Sequence, residues 1–362
     1  MTYPYDIAII GAGAGGLSLA AGASQMGAKV VLFEKSLMGG DCLNYGCVPS
    51  KSLLAAAKAI HSSQKWDALG LKGTSPKADF SAVMAHVRRV IDTIAVHDSV
   101  ERFEGLGVRV IREMASFKNS HTIIAGEHTI QARRIVISTG SAPLLPQKML
   151  GLGEIPYLTN ETIFQLQEAP HHLIVIGGGP IGCELAQAFA LLGVQVTLLE
   201  GQYILPKDDR DCVAIVRDSL MESGVHLHEG VRVTQVAQEG KTIHVTGETQ
   251  EQKAFAVKGS HVLVATGRRP NVDGLGLEKV GILYDHTGIQ VDKRLRTTNK
   301  KIYAIGDVAS PLQFTHVANA HAGIVLKNIL FRWPAKMETH AVPWVTYTVP
   351  ELAHVGVTQQ QV

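Results

Sequence analysis

At 362 residues the chain is long enough for two or three domains, and with 46% hydrophobic residues each can close a core. Thirty-four basic against 32 acidic side chains leave a formal charge of +2, which excludes the electrostatic footprint of a nucleic-acid or anionic-membrane binder. The 36 glycines fall in clusters, a composition of tight turns rather than of disorder.

The start, MTYPYDIAIIG, has neither a basic n-region nor a small-residue cleavage site, so no signal peptide and a cytoplasmic location are expected. Residues 7–28 carry no charge and could mimic a membrane span. Gly11, Gly13, Gly15 and Gly16 interrupt them after one strand's worth of β-branched residues. A strand, a glycine turn and an Ala-rich helix explain the segment better than a membrane partner does. The next motif, GGDCLNYGCVPSK at 39–51, holds two of the four cysteines, Cys42 and Cys47. A zinc site would need a second Cys or His pair at ligand spacing, which the sequence lacks, so no metal is expected. An inert buried pair is the packing alternative. Cytoplasmic disulfides are usually catalytic, which favours a redox pair. Five residues of helix would separate the Cα atoms by about 8–9 Å, too far for a disulfide. Glycines before the second cysteine and Pro49 after it therefore predict a helix that starts near Cys47. Such a helix end lowers a thiol's pKa, and Lys51 falls on the same face one turn later.

Apolar spacing predicts helices over 49–66 and 80–104, and the alternating SFKNSHTIIAGEHTIQARRIVI predicts hairpin strands. RIVISTGSAP then reads as a strand running into Thr139-Gly140. A linker is expected at 147–156. From there the chain repeats itself: LIVIGGGPIGCELAQAFALLGVQVTLLE aligns without a gap on IAIIGAGAGGLSLAAGASQMGAKVVLFE at an offset of 166 residues. Gly11, Gly13, Gly16 and Glu34 fall on Gly177, Gly179, Gly182 and Glu200. Each copy is a strand, a G-x-G-x-x-G turn, a helix, a second strand and an acid. In that context the glycines allow the tight turn, the approach of a pyrophosphate and close helix packing, while the acid lies where a ribose hydroxyl would be held. Two dinucleotide sites follow, on an α/β fold with two Rossmann-like domains. The second copy has its own strand-Thr-Gly segment at VLVATGRRPN, which contains Gly267, and KKIYAIGDV ends on Gly306-Asp307. Cys183 and Cys212 are expected in core packing. His171, His172, His226 and His228 are expected as solvated or packing positions, since neither pair has a companion ligand. The tail from 342 turns strand-like and proline-punctuated.

With these motifs in this order, the sequence resembles the flavin-dependent pyridine nucleotide–disulfide oxidoreductases, the group of dihydrolipoamide dehydrogenase, glutathione reductase and mercuric reductase. The resemblance covers essentially the whole chain. It implies a discontinuous FAD-binding domain at 1–148 and 272–341, an NAD-binding domain at 149–271, and the start of a dimerisation domain at 342–362. It implies that Gly11, Gly13, Gly16, Glu34, Lys35, Gly40, Thr139, Gly140, Gly306 and Asp307 serve the FAD site. Gly177, Gly179, Gly182, Glu200 and Gly267 would serve the NAD site. Cys47 would be the sulfur nearest the flavin, Cys42 the outer sulfur that meets substrate, and Lys51 would lie near flavin N5, contribute to the FAD site and pair with Glu184. Glu200 favours NAD, because a carboxylate repels a 2′-phosphate and the nearest base downstream is Lys207.

Two departures matter. Asp41 and Tyr45 stand where lipoamide enzymes usually carry Thr and a small aliphatic residue, and an anion beside Cys42 should raise that thiol's pKa. No His is followed by Glu five residues on, so the family's His-x4-Glu is not in this stretch, which is expected to be catalytically incomplete and a doubtful homodimer. The expected function is NADH-dependent reduction of a small disulfide or oxidation of a dithiol, most like dihydrolipoamide dehydrogenase. Alternatives are a mercuric-reductase-like or quinone/dye-reducing flavoenzyme and, in another class, a non-catalytic FAD-binding protein.

Overall fold

The computed structural model describes residues 3–146 and 148–361. Met1, Thr2, Gln147 and Val362 lie outside the described residues, and with them the first residue of the expected linker and the last of the expected dimerisation segment. The chain forms two compact units. One comprises Met1–Asn44, Ile91–Ala142 and Arg268–Val342; the other comprises Tyr45–Val90, Pro143–Gly267 and Pro343–Val362. These cuts differ from the boundaries expected from the sequence, and packing explains why. Helix Cys47–Ser63 buries its apolar face on helix Pro180–Leu191. The Phe80 ring meets Phe189 with centroids 5.7 Å apart. The hairpin of Pro343–Thr346 and Leu352–Val355 lies on helices Pro180–Leu191 and Arg210–Glu222.

In the first unit, strands Arg109–Ile111, Val30–Phe33, Tyr5–Ile10 and His128–Ile137 lie side by side in that order, all parallel. Ile302–Ala304 pairs with the last of them, also parallel. Strands such as VVLF read as unbroken apolar runs because the sheet is covered on both faces. Helices Ala14–Gln25 and Thr315–Leu330 pack together over one face, around Leu19, Leu32 and Val325. Phe117, Ile123 and Leu277 fill the other. The alternating stretch forms the antiparallel strands Ala115–Asn119, Thr122–Ala125 and His128–Ile137, as its period predicts. The helix expected over 80–104 is instead two, Phe80–Ala95 and Val100–Gly105. Ser99 causes the break: its hydroxyl accepts from Arg102 N–H at 3.2 Å and starts a new helix.

In the second unit, Val225–Glu229, Gln195–Glu200, His172–Ile176 and His261–Val264 form a parallel sheet in that order. A three-stranded antiparallel meander, Val231–Glu239, Thr242–Thr249 and Ala254–Gly259, adds Val245 to a core with Ile174, Leu199 and Val262. Both units thus contain the same strand–turn–helix–strand, and the fold is α/β with two Rossmann-like halves, as the repeat implies. No described helix is long and apolar enough to cross a membrane.

Several histidines edge the second sheet. His172 shares a 2.9 Å hydrogen bond with Thr197 Oγ1. Burial lowers its pKa, and repulsion from His226 and His171 lowers it further. His228, edge-on to the Phe255 ring, is lowered by burial and then by His226; burial lowers His261. A histidine whose folded pKa lies below its unfolded value near 6.5 is held neutral by the fold. Its contribution is present above that value and is lost as pH falls and the unfolded chain takes the proton. The melting temperature should therefore fall between about pH 7 and pH 5.5. It should fall slightly less steeply in His226→Asn, and equal slopes in the two proteins would refute the share ascribed to His226 repulsion while leaving burial as the cause.

Candidate active site

The two glycine turns have nearly the same geometry. Gly11 and Gly177 take φ of +105° and +112°, in the left-handed region where a side chain is strained. Each also has no room for one: an added Cβ would lie 2.3 Å from Ser138 O at Gly11 and 2.4 Å from Ala265 O at Gly177. At Gly16 and Gly182 an added Cβ would come within 1.9 Å of the carbonyl oxygen of Gly11 and Gly177 respectively. The helix therefore sits on the turn that precedes it. Gly13 and Gly179 occupy the N-cap positions with extended backbone. The acids at the end of each repeat hold their own turns. Glu34 accepts from Ala12 N–H at 2.8 Å and Ser36 N–H at 2.7 Å. Glu200 accepts from Gly178 N–H at 2.7 Å and Gln202 N–H at 3.0 Å. Each carboxylate oxygen keeps a second lone pair for a ribose hydroxyl.

In the first unit a cleft opens at the carboxyl ends of the parallel strands, lined by Ile10, Gly11, Glu34, Lys35, Thr139 and Asn271 among others, where α/β sheets bind ligands. Thr139 Oγ1 donates to Asn271 O at 2.7 Å and Asn271 Nδ2 donates to Thr139 O at 3.0 Å, so the two strand-end motifs brace each other. Gly140 (φ +68°) accepts from Asn271 N–H. Gly40 comes so near the glycine turn that an added Cβ would be 2.6 Å from Gly13 Cα, and Gly39 N–H donates to Ala12 O at 3.0 Å. A backbone-lined cradle beside acceptor-rich Glu34 fits a dinucleotide such as FAD. The short helix Gly40–Asn44, which carries half-exposed Cys42, starts against that cradle.

Asp307 lies in the turn Gly306–Ala309. Burial pushes its carboxyl above the usual range, while the Ser141 hydroxyl, donating to Oδ2 at 2.6 Å, and Arg268 pull it back. Gly306 (φ +71°) donates its N–H to Nδ1 of His321 at 3.2 Å. His321 is buried, and that burial pushes its pKa down to about 4, so at neutral pH the ring is neutral and can accept. Sequence reading missed Ser141, Arg268, Asn271 and His321. The first three adjoin recognised Thr-Gly motifs; His321 gives no signal beyond a helical position.

In the second unit, helix Cys47–Ser63 begins at exposed Cys47, as expected, with Gly46 at the N-cap. Pro49 sits inside the first turn, where no backbone donor is lost. Lys51, one turn on, makes a 2.8 Å ion pair with Glu184 of helix Pro180–Leu191. Glu184 is 5% exposed, and its other oxygen accepts from Tyr347 N–H at 2.9 Å. The Tyr347 ring in turn lies under the ammonium, 4.3 Å from Nζ to its centroid. Gln187, fully buried, pairs with both backbone groups of Val349, accepting from N at 2.7 Å and donating to O at 3.0 Å. Tyr347 and Gln187 escaped the sequence reading because nothing local distinguishes them. Gly267 (φ +132°) ends the strand segment, its carbonyl accepting from Leu144 N–H at 2.9 Å. Cys183 is fully buried, as expected, and burial raises its thiol far above the usual range. Cys212 is not in the core: it is exposed, because Val213, Val216 and Leu220 form the buried stripe of helix Arg210–Glu222. No group of three His, Cys, Asp or Glu side chains placed to hold a metal occurs among the described residues.

Comparison with known proteins gives one family. Residues 5–322 match the model for the pyridine nucleotide-disulphide oxidoreductases. The chain is 37% identical to a mercuric reductase from Streptomyces lividans over 99% of its own length and 76% of that protein's. It is 36% identical to the Staphylococcus aureus mercuric reductase, of which it spans 65%. It is 33% identical to the dihydrolipoyl dehydrogenase of Bacillus subtilis, of which it spans 78%. Among solved structures, the HOCl-induced flavoprotein disulfide reductase RclA from Escherichia coli superposes with a TM-score of 0.86 at 29% identity, over 99% of this chain and 78% of that one.

Proposed function

The chain belongs to the pyridine nucleotide-disulphide oxidoreductase family, whose members use FAD and NAD(P)H, and from that premise we propose that it takes electrons from NADH and delivers them through Cys47 and Cys42 to a small disulfide. The observation that carries this reading is the helix that starts at Cys47 and sets Lys51 one turn later against Glu184. Bound FAD supplies the two-electron relay between nicotinamide and sulfur. The cradle of Gly11, Gly13, Gly16 and Gly40, with Glu34, Lys35, Thr139, Gly140, Gly306 and Asp307, holds it in the first unit. Gly177, Gly179, Gly182, Gly267 and Glu200 hold NADH in the second, and Glu200 disfavours the 2′-phosphate of NADPH.

The protein's own share is electrostatic and positional. The open N–H groups of the first helical turn and the Lys51 ammonium stabilise a thiolate at Cys47. Glu184 and the Tyr347 ring keep that ammonium in place. When the Cys42–Cys47 bond accepts two electrons, it opens to two sulfurs. Cys42, as thiolate, attacks one sulfur of the substrate, expelling the other as a thiol once a proton is taken up. Cys47 then attacks Cys42 in the mixed disulfide, releases the second thiol with a second proton, and restores the protein disulfide.

Anaerobic titration of the FAD-loaded protein with NADH tests this. A long-wavelength thiolate-to-flavin absorbance should appear and should vanish in Cys47→Ser. Its absence from the wild-type protein, or its persistence in the variant, would sink the electron route and leave a flavin-binding protein without disulfide chemistry. A second reading, reduction of Hg²⁺, is favoured by the likeness to mercuric reductases. NADH oxidation assayed with lipoamide, glutathione disulfide and Hg²⁺ chooses between the two.

A further inference from the structure

The first unit contains a polar chain that leads from the residue before Cys42 to the turn that holds Asp307. Asp41 Oδ1 pairs with Arg268 Nη2 at 3.0 Å. The same guanidinium donates from Nε to Ser141 Oγ at 2.7 Å and from Nη2 to Ser141 O at 3.0 Å. The Ser141 hydroxyl in turn donates a hydrogen bond to Asp307 Oδ2 at 2.6 Å. The Arg268 side chain is only 11% exposed and that of Asp41 36%. The guanidinium is withdrawn from water while the carboxylate is partly open to it. The guanidinium is fixed by acceptors on two segments, in the planar fork that suits arginine and not lysine.

The arrangement changes the meaning of Asp41. Taken alone, a carboxylate next to Cys42 opposes a second negative charge on that sulfur. Paired with Arg268, it is one half of a neutral couple. We propose that Arg268 is a positioning residue for the sulfur chemistry: it cancels the charge that Asp41 places beside Cys42 and, through Ser141, ties the helix Gly40–Asn44 to the turn bearing Asp307. Arg268 acts through Asp41 and Ser141 and is not itself a reacting group. The inference rests on the reading of Cys42 as the sulfur that meets substrate. It adds an ion pair at the first turn of the short helix that carries Cys42.

The test is a charge cycle on the full chain, FAD-loaded and reduced with dithiothreitol rather than NADH. Cys47→Ser is the parent, so that Cys42 is the one thiol of its peptide. The readout is the rate of iodoacetamide alkylation of Cys42 at pH 7 and low salt, followed by peptide mass spectrometry. Arg268→Gln leaves Asp41 uncompensated and should slow alkylation about three- to tenfold. Asp41→Asn leaves the guanidinium uncompensated and should speed it by about threefold. The double variant should return to within about twofold of the parent. Arg268→Lys should keep the parent rate, because the charge remains. It should nevertheless release FAD more readily on dilution, followed by free-flavin fluorescence, because the fork on Ser141 is lost.

Equal rates at all four corners would overturn the proposal. So would a double variant as slow as Arg268→Gln, which would mean that Arg268 acts by shape rather than through Asp41. If Arg268→Gln fails to fold, Asp41→Asn decides alone, and an unchanged rate there refutes the charge coupling. The cycle uses no NADH, so its failure is distinct from a failure of the titration that tests the electron route.

Discussion

Gly16→Ala should yield a protein that accumulates poorly and purifies without flavin, whereas the matching Gly182→Ala should keep its flavin and lose its response to NADH. The added methyl at Gly16 would meet the carbonyl oxygen of Gly11 at 1.9 Å. That neighbour is backbone, so no rotamer change relieves the clash. Helix Ala14–Gln25 must lift from the turn, and the packing of Leu17, Leu19 and Ala20 in the core goes with it. Overpacking of a core typically costs 1–3 kcal/mol, and a contact this short on backbone belongs at roughly 3 kcal/mol or above. Gly182 has the same 1.9 Å clearance, to Gly177, but lies in the other unit. Flavin content by absorbance, melting temperature and flavin bleaching by NADH separate the two variants. A Gly16→Ala protein with full flavin and an unchanged melting temperature would mean that the first glycine turn does not hold the flavin.

The second large effect concerns sulfur. Cys42→Ser and Cys47→Ser should each lower NADH-dependent disulfide reduction by on the order of 10³-fold or more, because a serine hydroxyl neither forms the disulfide nor attacks one, and the loss of a nucleophile removes the whole route. Electron transfer from NADH to an artificial acceptor such as ferricyanide, which needs no thiol, should survive in both. Steady-state assays with the two kinds of acceptor check this. Equal loss in both assays would point to a damaged flavin site rather than to the sulfur route.

The repeat makes both glycine turns legible in the sequence itself. A glycine that must accept φ near +110°, a third glycine that carries a helix, and an acid 23 residues after the first glycine are local demands, so they leave a local trace. The start of helix Cys47–Ser63 was legible for the same reason, since Gly46 and Pro49 are themselves boundary residues. The break at Ser99 was missed because the apolar stripe runs on past the cap. The grouping of Tyr45–Val90 with the second unit leaves no sequence trace because it depends on which helix receives the apolar face of Cys47–Ser63, and amphipathic spacing does not name a partner. The Arg268–Asp41 pair spans 227 positions of sequence, and Tyr347 reaches Glu184 across 163. Contacts of that kind are set by topology, and one sequence cannot announce them.

The way Glu34 and Glu200 grip their own turns limits what redesign can achieve. Exchanging Glu200 for arginine, the obvious route to a coenzyme bearing a 2′-phosphate, would also strip Gly178 and Gln202 of their acceptor. The phosphate loop would lose its brace in the act of gaining a counter-ion. If Glu200 sets the coenzyme preference, as proposed, preference and rigidity are one trait at this position. A switch of coenzyme would have to supply a substitute acceptor for those amides from elsewhere in the loop, or else trade selectivity against tightness of binding for both nucleotides.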